Sequence, residues 1–261
     1  MKLLAIGDIV GEPGVAAIER TLKKIKTEHK IDFTVANGEN SANSGISAKL
    51  AERMFMAGVD VITLGNHTWD KREIGPYLEE NQYILRPHNM SDVAPGRGFA
   101  IYPAGLKNIC VISLIGRCTM NFGPDNPFLC VSKIIKEIKN NCDFIVVDFH
   151  ANATSEKKAM GYYLDGQVSA VWGTHTHVQT ADEEIFENGT GYITDIGMTG
   201  PRRSVIGIKP ENSIRLFLCD IPERYVVPDG DCVIDCAVFD IDDNTKKCTS
   251  VTRLREVCGF E

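Results

Sequence analysis

Apolar segments of strand length alternate with amphipathic helical segments through roughly the first two thirds of this 261-residue chain. Such alternation is typical of units in which parallel strands are connected by crossover helices. The predicted strands are KLLAIGD, DFTVANGEN, VDVITLGNH, NICVISLIG, DFIVVDFH and SAVWGTHTH. The pattern predicts an α/β fold, or α+β in some schemes, with helices packed outside two sheets.

The segments between these strands have helical periodicity or helix-capping residues. Apolar residues fall on one face of the first and fourth predicted helices at Val15, Ile18, Leu22, Ile25, Val131, Ile134, Ile135 and Ile138. Ser47 can cap a helix that extends through Met56, and Gly58 can end it. A weaker helix surrounds Pro76, which would break or kink it. A polar helix is expected over residues 155–164.

Beyond residue 178 we expect strands and no further helices. These strands are GYITDIG, SIRLFLCD, CVIDCAVFDID and CTSVTRLREV. No internal repeat, low-complexity tract or linker divides the sequence. Residues 1–261 are therefore expected to form a single domain.

The charge and hydropathy of the chain exclude some classes of partner. The net charge is −7, whereas binders of long duplex nucleic acid usually carry a dense basic surface. No apolar segment approaches the roughly 20 residues needed to span a membrane. The apolar run in MKLLAIGD is too short for a signal peptide. A cytoplasmic protein without duplex nucleic acid or membrane partners is expected, and a homo-oligomer is expected because such assemblies are common.

The nine cysteines are expected to be free thiols in a reducing compartment. A structural zinc site is the alternative for Cys232, Cys236, Cys248 and Cys258. Their spacing does not match the paired CxxC knuckles of such sites, and free thiols are favoured.

Metal-capable side chains recur at the carboxyl ends of five predicted strands. They are Asp8, Glu39 with Asn40, Asn66 with His67, His150, and His175 with His177. Each alone has an ordinary explanation as a turn residue, a helix cap or a hydrogen-bonded histidine. Because the loops at the carboxyl ends of strands converge over one edge of an α/β sheet, their recurrence favours a metal site.

The types of ligand restrict which metal ions would suit the site. Imidazole, carboxylate and carboxamide without thiolate suit Mn, Fe or Zn. The candidates are too many for one ion and favour two ions that share a carboxylate, about 3.5 to 4 Å apart, as used for phosphoryl hydrolysis. A phosphate-binding P-loop is disfavoured because AIGDIVGEPG lacks the Gly-Lys-Ser/Thr of that motif.

These motifs resemble the calcineurin-like metallophosphoesterase superfamily and, within it, the YmdB family of bacterial phosphodiesterases. The matching motifs are GDIVG at 7–11, NGEN at 37–40, LGNHTWD at 64–70, DFHAN at 148–152, GTHTHVQTAD at 173–182 and DIGMTGP at 195–201. They cover residues 7–201 in the expected order. The resemblance implies a four-layer α/β/β/α sandwich with a dinuclear site at one edge.

The resemblance also implies a role for each site residue. The first metal would be held by Asp8, Glu39, Asn40 and His177, and the second by Glu39, Asn66, His150 and His175. Glu39 would bridge the two ions, and His67 would be the general acid. The resemblance implies transition metals, with iron favoured and manganese or zinc as alternatives. The implied activity is hydrolysis of small cyclic nucleotides, with the 2′,3′-cyclic type favoured, by attack of a metal-bound hydroxide.

Two positions depart from the wider superfamily and match the YmdB subgroup. Val10 stands where Asp-x-His would place an imidazole, and Glu39 replaces the usual bridging Asp. The first metal would then have one imidazole and a more oxygen-rich coordination, which favours harder ions.

Several roles stay open at this point. Arg202 and Arg203 could contact phosphate or be a solvated pair. Asp70 could orient His67, although capping of the following helix is favoured. Ser41, Asn43 and Ser44 could line the pocket or form an ordinary polar loop. The rival functions are a phosphomonoesterase or nucleotidase at the same centre, and a regulatory protein that senses a nucleotide or metal with little turnover.

Overall fold

The computed structural model describes residues 1–120, 123–138, 140–221 and 224–259. The strands are β1 Lys2–Ile6, β2 Asp8–Ile9, β3 Phe33–Asn37, β4 Val61–Thr63, β5 Ile84–Leu85, β6 Phe99–Ala104, β7 Lys107–Ile115, β8 Phe144–His150, β9 Ala170–Thr174, β10 Glu184–Ile185, β11 Gly191–Ile193, β12 Met198–Pro201, β13 Cys232–Ile241 and β14 Cys248–Cys258. The helices are α1 Gly11–His29, α2 Ala48–Ala57, α3 Ile74–Glu80, α4 Pro127–Ile138, α5 Thr154–Leu164 and α6 Pro210–Cys219.

The strands form two mixed sheets. The first has the order β2-β12-β13-β1-β3-β4-β5, with β14 also paired to β13. Its strands β1, β3, β4 and β5 are parallel, whereas β13 runs antiparallel to β1. The second sheet has the order β10-β11-β9-β8-β7-β6 and a parallel centre of β11, β9, β8 and β7. Helices connect the successive parallel strands from β1 to β5 and from β7 to β9, as the alternation predicted, whereas β9 and β11 are connected through β10.

The alternation of side chains along β1 divides the core into layers. Successive residues of a strand point to opposite faces of the sheet. Leu4 and Ile6 pack with apolar residues of α1, α2 and α3, whereas Leu3 and Ala5 pack with the second sheet, including Trp172. The other face of the second sheet packs against α4 and α5. The predicted α/β/β/α sandwich is therefore confirmed.

Local signals explain the boundaries of two helices. The Ser47 side chain accepts a hydrogen bond from the Leu50 N–H at 3.4 Å, and Gly58 ends α2 with φ at 107°, as predicted. Pro76 lies in the first turn of α3, where the backbone N–H has no partner within the helix. It therefore does not break the helix as the sequence suggested.

One predicted strand is wrong, because SIRLFLCD lies in helix α6 and its end. Pro210 and Glu211 in the first turn are the signals of a helix start. The apolar run that follows is too short for periodicity to separate a helix from a strand. None of the helices in the described ranges is long and apolar enough to cross a membrane.

All nine cysteines are free thiols. In the β13–β14 hairpin, Cys232 pairs with Cys258, whereas Cys248 pairs with Ile241 at the opposite end. The ten-residue strand β13 separates the two ends by roughly 30 Å. The four cysteines therefore cannot surround one zinc ion.

Candidate metal centre

The predicted metal ligands lie where strands of both sheets end. Asp8 begins β2 and follows the end of β1 by two residues, and Glu39 follows β3 by two residues. Asn66 follows β4 by three residues, His150 is the last residue of β8, and His175 directly follows β9. Because these strands are parallel within their sheets, their carboxyl ends open at one edge of the sandwich, and the side chains converge there.

Glu39, His150 and His175 form the tightest group. One ligand atom of each lies within 4.8 Å of the others. His150 Nε2 is 3.1 Å from Glu39 Oε1, 3.1 Å from His175 Nδ1 and 2.9 Å from Asn66 Oδ1. A single nitrogen with at most one proton thus faces three atoms that can each offer a lone pair. Such a set of donors is better satisfied by a cation than by the protein alone.

A second group of candidate ligands adjoins the first. The Asp8 carboxylate is buried, and its Oδ1 has no hydrogen-bond partner in the described structure. His177 Nε2 lies 3.9 Å from that oxygen. Asn40 Nδ2 lies 3.2 Å from His177 Nε2 and 3.2 Å from Glu39 Oε1. A buried carboxylate oxygen without a partner is costly, and this chemistry also fits a cation.

Burial and mutual charge shift the pKa values of these groups. Burial raises the pKa of the Asp8 carboxyl to about 6, although His177 and His150 oppose the shift. Burial, together with the charge of the neighbouring His150, lowers the pKa of His175 to about 3. Burial alone would raise the pKa of Glu39 and lower that of His150. The charge and hydrogen bond between the two groups outweigh burial, so the pKa of Glu39 is lowered and that of His150 is raised. The carboxylates of Glu39 and Asp8 therefore favour positive charge at the position of His150.

Glycine is required beside this cluster at one position. A Cβ atom at Gly65 would lie 2.4 Å from Glu39 Oε2 and 2.4 Å from His150 Nε2. Any side chain would therefore displace one of these two groups. The backbone after β4 approaches closely enough for the His67 N–H to donate to Glu39 Oε2 at 3.0 Å.

His150 is oriented by a chain of buried hydroxyl and carboxylate groups. The Thr174 hydroxyl donates to Asp148 Oδ1 at 2.7 Å, so its oxygen accepts from His150 Nδ1 at 2.9 Å. The Thr63 hydroxyl also donates to Asp148. This chain places a proton on Nδ1 and directs Nε2 toward Glu39, which is the arrangement used to orient metal-binding histidines.

The loop that carries His175 and His177 has an unusual backbone. Both residues have positive φ angles, 104° and 61°. Asp195 Oδ2 accepts from the Thr176 N–H at 3.1 Å, from its hydroxyl at 2.7 Å and from Lys157 Nζ at 2.6 Å. Lys157 is only 1% exposed. This buried ion pair fixes the loop between the two histidines, and no local sequence signal pointed to it.

His67 lies beside the cluster at the edge of a cavity. Its Nδ1 is 2.8 Å from Asp70 Oδ2 and 3.0 Å from the Ser44 hydroxyl, and Ser44 also donates to Asp70. The favoured prediction that Asp70 caps the next helix is wrong, because α3 begins at Ile74 and Glu73 is its N-cap residue. Asp70 instead contacts the imidazole.

The cavity has a volume of about 400 Å³. The predicted residues Glu39, Asn40, Asn43, Ser44, His67, His175 and His177 line it. Ser41 is buried outside the lining, and Arg202 and Arg203 are exposed outside it. Sequence reasoning gave no role to the further lining residues Asn152, Thr176, Ile206, Ile208, Tyr225 and Val227. Of these, only Asn152 and Thr176 lie within a motif.

Comparisons with known proteins agree with the resemblance stated from the motifs. A family model described as YmdB-like protein matches residues 4–254. A relative from Bacillus subtilis (strain 168), named 2′,3′-cyclic-nucleotide 2′-phosphodiesterase, is 44% identical over 257 residues. The match covers 97% of this chain and 96% of that relative.

Solved structures show the same architecture. A structure described as a novel phosphatase from Mycoplasma pneumoniae has a TM-score of 0.92 and 35% identity, and the match covers 98% of this chain and 93% of that one. A hypothetical protein from Thermus thermophilus also has a TM-score of 0.92, with 34% identity and coverage of 98% and 99%.

Proposed function

The chain belongs to the YmdB-like protein family, and from this premise we propose that it is a metal-dependent phosphodiesterase that hydrolyses nucleoside 2′,3′-cyclic monophosphates. The observation that carries the proposal is the position of Glu39 between two groups of candidate ligands at the edge of a cavity. The name of the Bacillus subtilis relative, which is 44% identical, supports the choice of substrate.

The donor set supports a dinuclear centre. Asp8, Asn40 and His177 would hold one ion and Asn66, His150 and His175 the other, with Glu39 shared between them. When bound, such ions polarise the phosphoryl oxygens and make a nucleophile available at neutral pH. A set without thiolate suits manganese, iron or zinc, and the family resemblance favours iron among the three.

The residues of the chain itself would manage the proton of the leaving group. Hydrolysis adds hydroxide to phosphorus and breaks the bond from phosphorus to the 2′-oxygen, which then takes a proton. Asp70 and Ser44 hold Nδ1 of His67, and this leaves Nε2 as the nitrogen available to donate that proton. The product is a nucleoside 3′-monophosphate.

A phosphomonoesterase is the second candidate, because the Mycoplasma pneumoniae structure of the same fold is described as a phosphatase. Turnover of a 2′,3′-cyclic, a 3′,5′-cyclic and a monoester substrate separates the two. We expect the highest kcat/KM with the 2′,3′-cyclic substrate. Turnover of the monoester alone would contradict the proposed function.

A further inference from the structure

The cavity beside the candidate metal centre has two chemically different sides. One side carries His67 and four of the candidate ligands, Glu39, Asn40, His175 and His177. The other side, here called the apolar wall, consists of Ile206, Ile208, Tyr225 and Val227. These four residues lie in the irregular segments on either side of α6, outside every motif of the sequence. The proposed hydrolysis gives the wall no role.

The wall is connected directly to a candidate ligand. The Ile206 carbonyl accepts a hydrogen bond from His177 Nδ1 at 2.8 Å. Ile206 and Gly207 form the centre of a tight turn in which Val205 and Ile208 exchange backbone hydrogen bonds at 2.8 and 3.0 Å. The φ angle of Ile206 is +47°, which is rare for a β-branched residue. Strain of this kind persists where the surroundings enforce it, and it is concentrated at ligand sites.

Val10 supports the wall from below. It is 4% exposed and packs with Met198, Val233 and Val227 in a small apolar cluster. A Cβ atom at Gly207 would lie 2.6 Å from Val10 Cγ1, so the turn rests directly on this side chain. Val10, which stands where the wider superfamily has a histidine, thus packs beneath the apolar wall and supports it.

Tyr225 offers an unoccupied aromatic surface. Its side chain is 61% exposed although it lines the cavity. No aromatic ring in the described part of the chain packs against it. Exposed aromatic side chains at the border of a nucleotide site are the usual stacking partners of bases.

We infer that the apolar wall is a nucleobase subsite, in which the Tyr225 ring stacks on the base and Ile206, Ile208 and Val227 contact its edge. The inference rests on the proposed function for the identity of the ligand. A nucleoside cyclic phosphate has an anionic end and a flat aromatic end, and the two sides of the cavity match this polarity. A volume of about 400 Å³ is suited to a ligand of this size.

Stacking predicts tolerance among bases with a preference for purines. Every base presents a π-face, and the wall offers aliphatic groups and one phenol ring without a set of donors and acceptors. The larger ring system of a purine covers more of Tyr225. The subsite therefore distinguishes nucleotides from phosphodiesters that lack a base.

The first test compares Tyr225→Ala and Tyr225→Phe with Tyr162→Ala, a control whose tyrosine is also 61% exposed but lies outside the cavity. The substrates are adenosine 2′,3′-cyclic monophosphate and ribose 2′,3′-cyclic phosphate without a base. We expect Tyr225→Ala to lower the kcat/KM for the adenosine substrate, divided by that for the ribose substrate, by about 10-fold. Tyr225→Phe and the control should keep the wild-type ratio. An unchanged ratio in Tyr225→Ala would overturn the inference.

Binding separates this inference from the proposed function. Calorimetry with adenosine 3′-monophosphate and with inorganic phosphate needs no turnover. We expect Tyr225→Ala to weaken binding of the nucleotide about 10-fold relative to phosphate. Equal weakening of both, or of neither, would overturn the subsite. A wild-type protein that binds the nucleotide through Tyr225 but hydrolyses no 2′,3′-cyclic substrate would overturn the proposed function alone.

Discussion

The two sides of the cavity are built in opposite ways. Glu39 lines one side, is buried and accepts a hydrogen bond from the backbone after β4, and His150 is buried behind it and contacts Thr174 at the end of β9. Ile206 and Tyr225 lie in irregular segments, are largely exposed and include a residue with a strained backbone. A site for charge needs rigid, desolvated ligands, whereas a site for a base needs an accessible surface. The strands of the sheets therefore position the groups proposed for catalysis. The irregular segments beside α6 carry the residues proposed to contact the base.

The largest effect is expected where the two groups of ligands meet. Glu39→Gln removes the charge that both groups share and leaves a neutral side chain beside His150, so we expect kcat/KM to fall roughly 10³-fold. Bound metal, measured by elemental analysis, should fall as well. Glu79→Gln, an exposed carboxylate on α3, is the control and should keep both. A Glu39→Gln protein with full metal content and full activity would contradict the proposed centre.

His67→Ala should separate proton transfer from metal binding on the same side of the cavity. We expect kcat for a cyclic nucleotide to fall about 10²-fold while the metal content stays unchanged. The loss should be much smaller with bis(p-nitrophenyl) phosphate, because nitrophenolate leaves without a proton. His29→Ala, far from the site at the end of α1, is the control. Equal losses with both substrates would exclude His67 as the general acid.

Thr174→Val tests whether the buried hydrogen-bond chain holds His150 in position. The variant keeps the shape of the side chain but removes the hydroxyl that connects His150 Nδ1 to Asp148. We expect metal affinity to fall about 10-fold. Thr199→Val is a matched control, since Thr199 is equally buried and its hydroxyl has no hydrogen-bond partner in the described structure. Equal metal affinity in both variants would show that the hydrogen bonds from His150 through Thr174 to Asp148 do not orient His150.

The smallest effect is expected on the apolar wall, where one substitution should increase the stability of the protein. Ile206→Gly relieves the positive φ angle and should raise the free energy of unfolding by about 1 kcal/mol, measured by urea denaturation. KM for the cyclic nucleotide should rise because part of the wall is lost. Ile208→Gly has no such strain to relieve and should lower stability. If both variants destabilise the protein equally, Ile206 stores no strain.

The same contrast explains what could be predicted from the sequence. Asp8, Glu39 and His150 were found because strand periodicity places them at strand ends, and parallel topology then brings those ends together. Asp195 and Lys157 were missed because their pairing depends on a contact between distant segments. The wall was missed because nothing local determines which cavity an irregular segment borders.

Helix α6 shows the limit of local patterns most clearly. Its Ile214, Phe217 and Leu218 are exposed, so their apolar character does not reflect a buried face. Pro210 in the first turn is the local signal that favours a helix start over a strand. The family motifs end at residue 201, before this segment.

The most direct test of the dinuclear centre is elemental analysis of protein purified without oxygen. The same sample is then assayed with a 2′,3′-cyclic nucleotide before and after removal of metal by chelation. A dinuclear centre predicts two transition-metal ions per chain, loss of turnover on chelation and its return when metal is restored. A metal-free protein that hydrolyses the cyclic nucleotide at the full rate would contradict it.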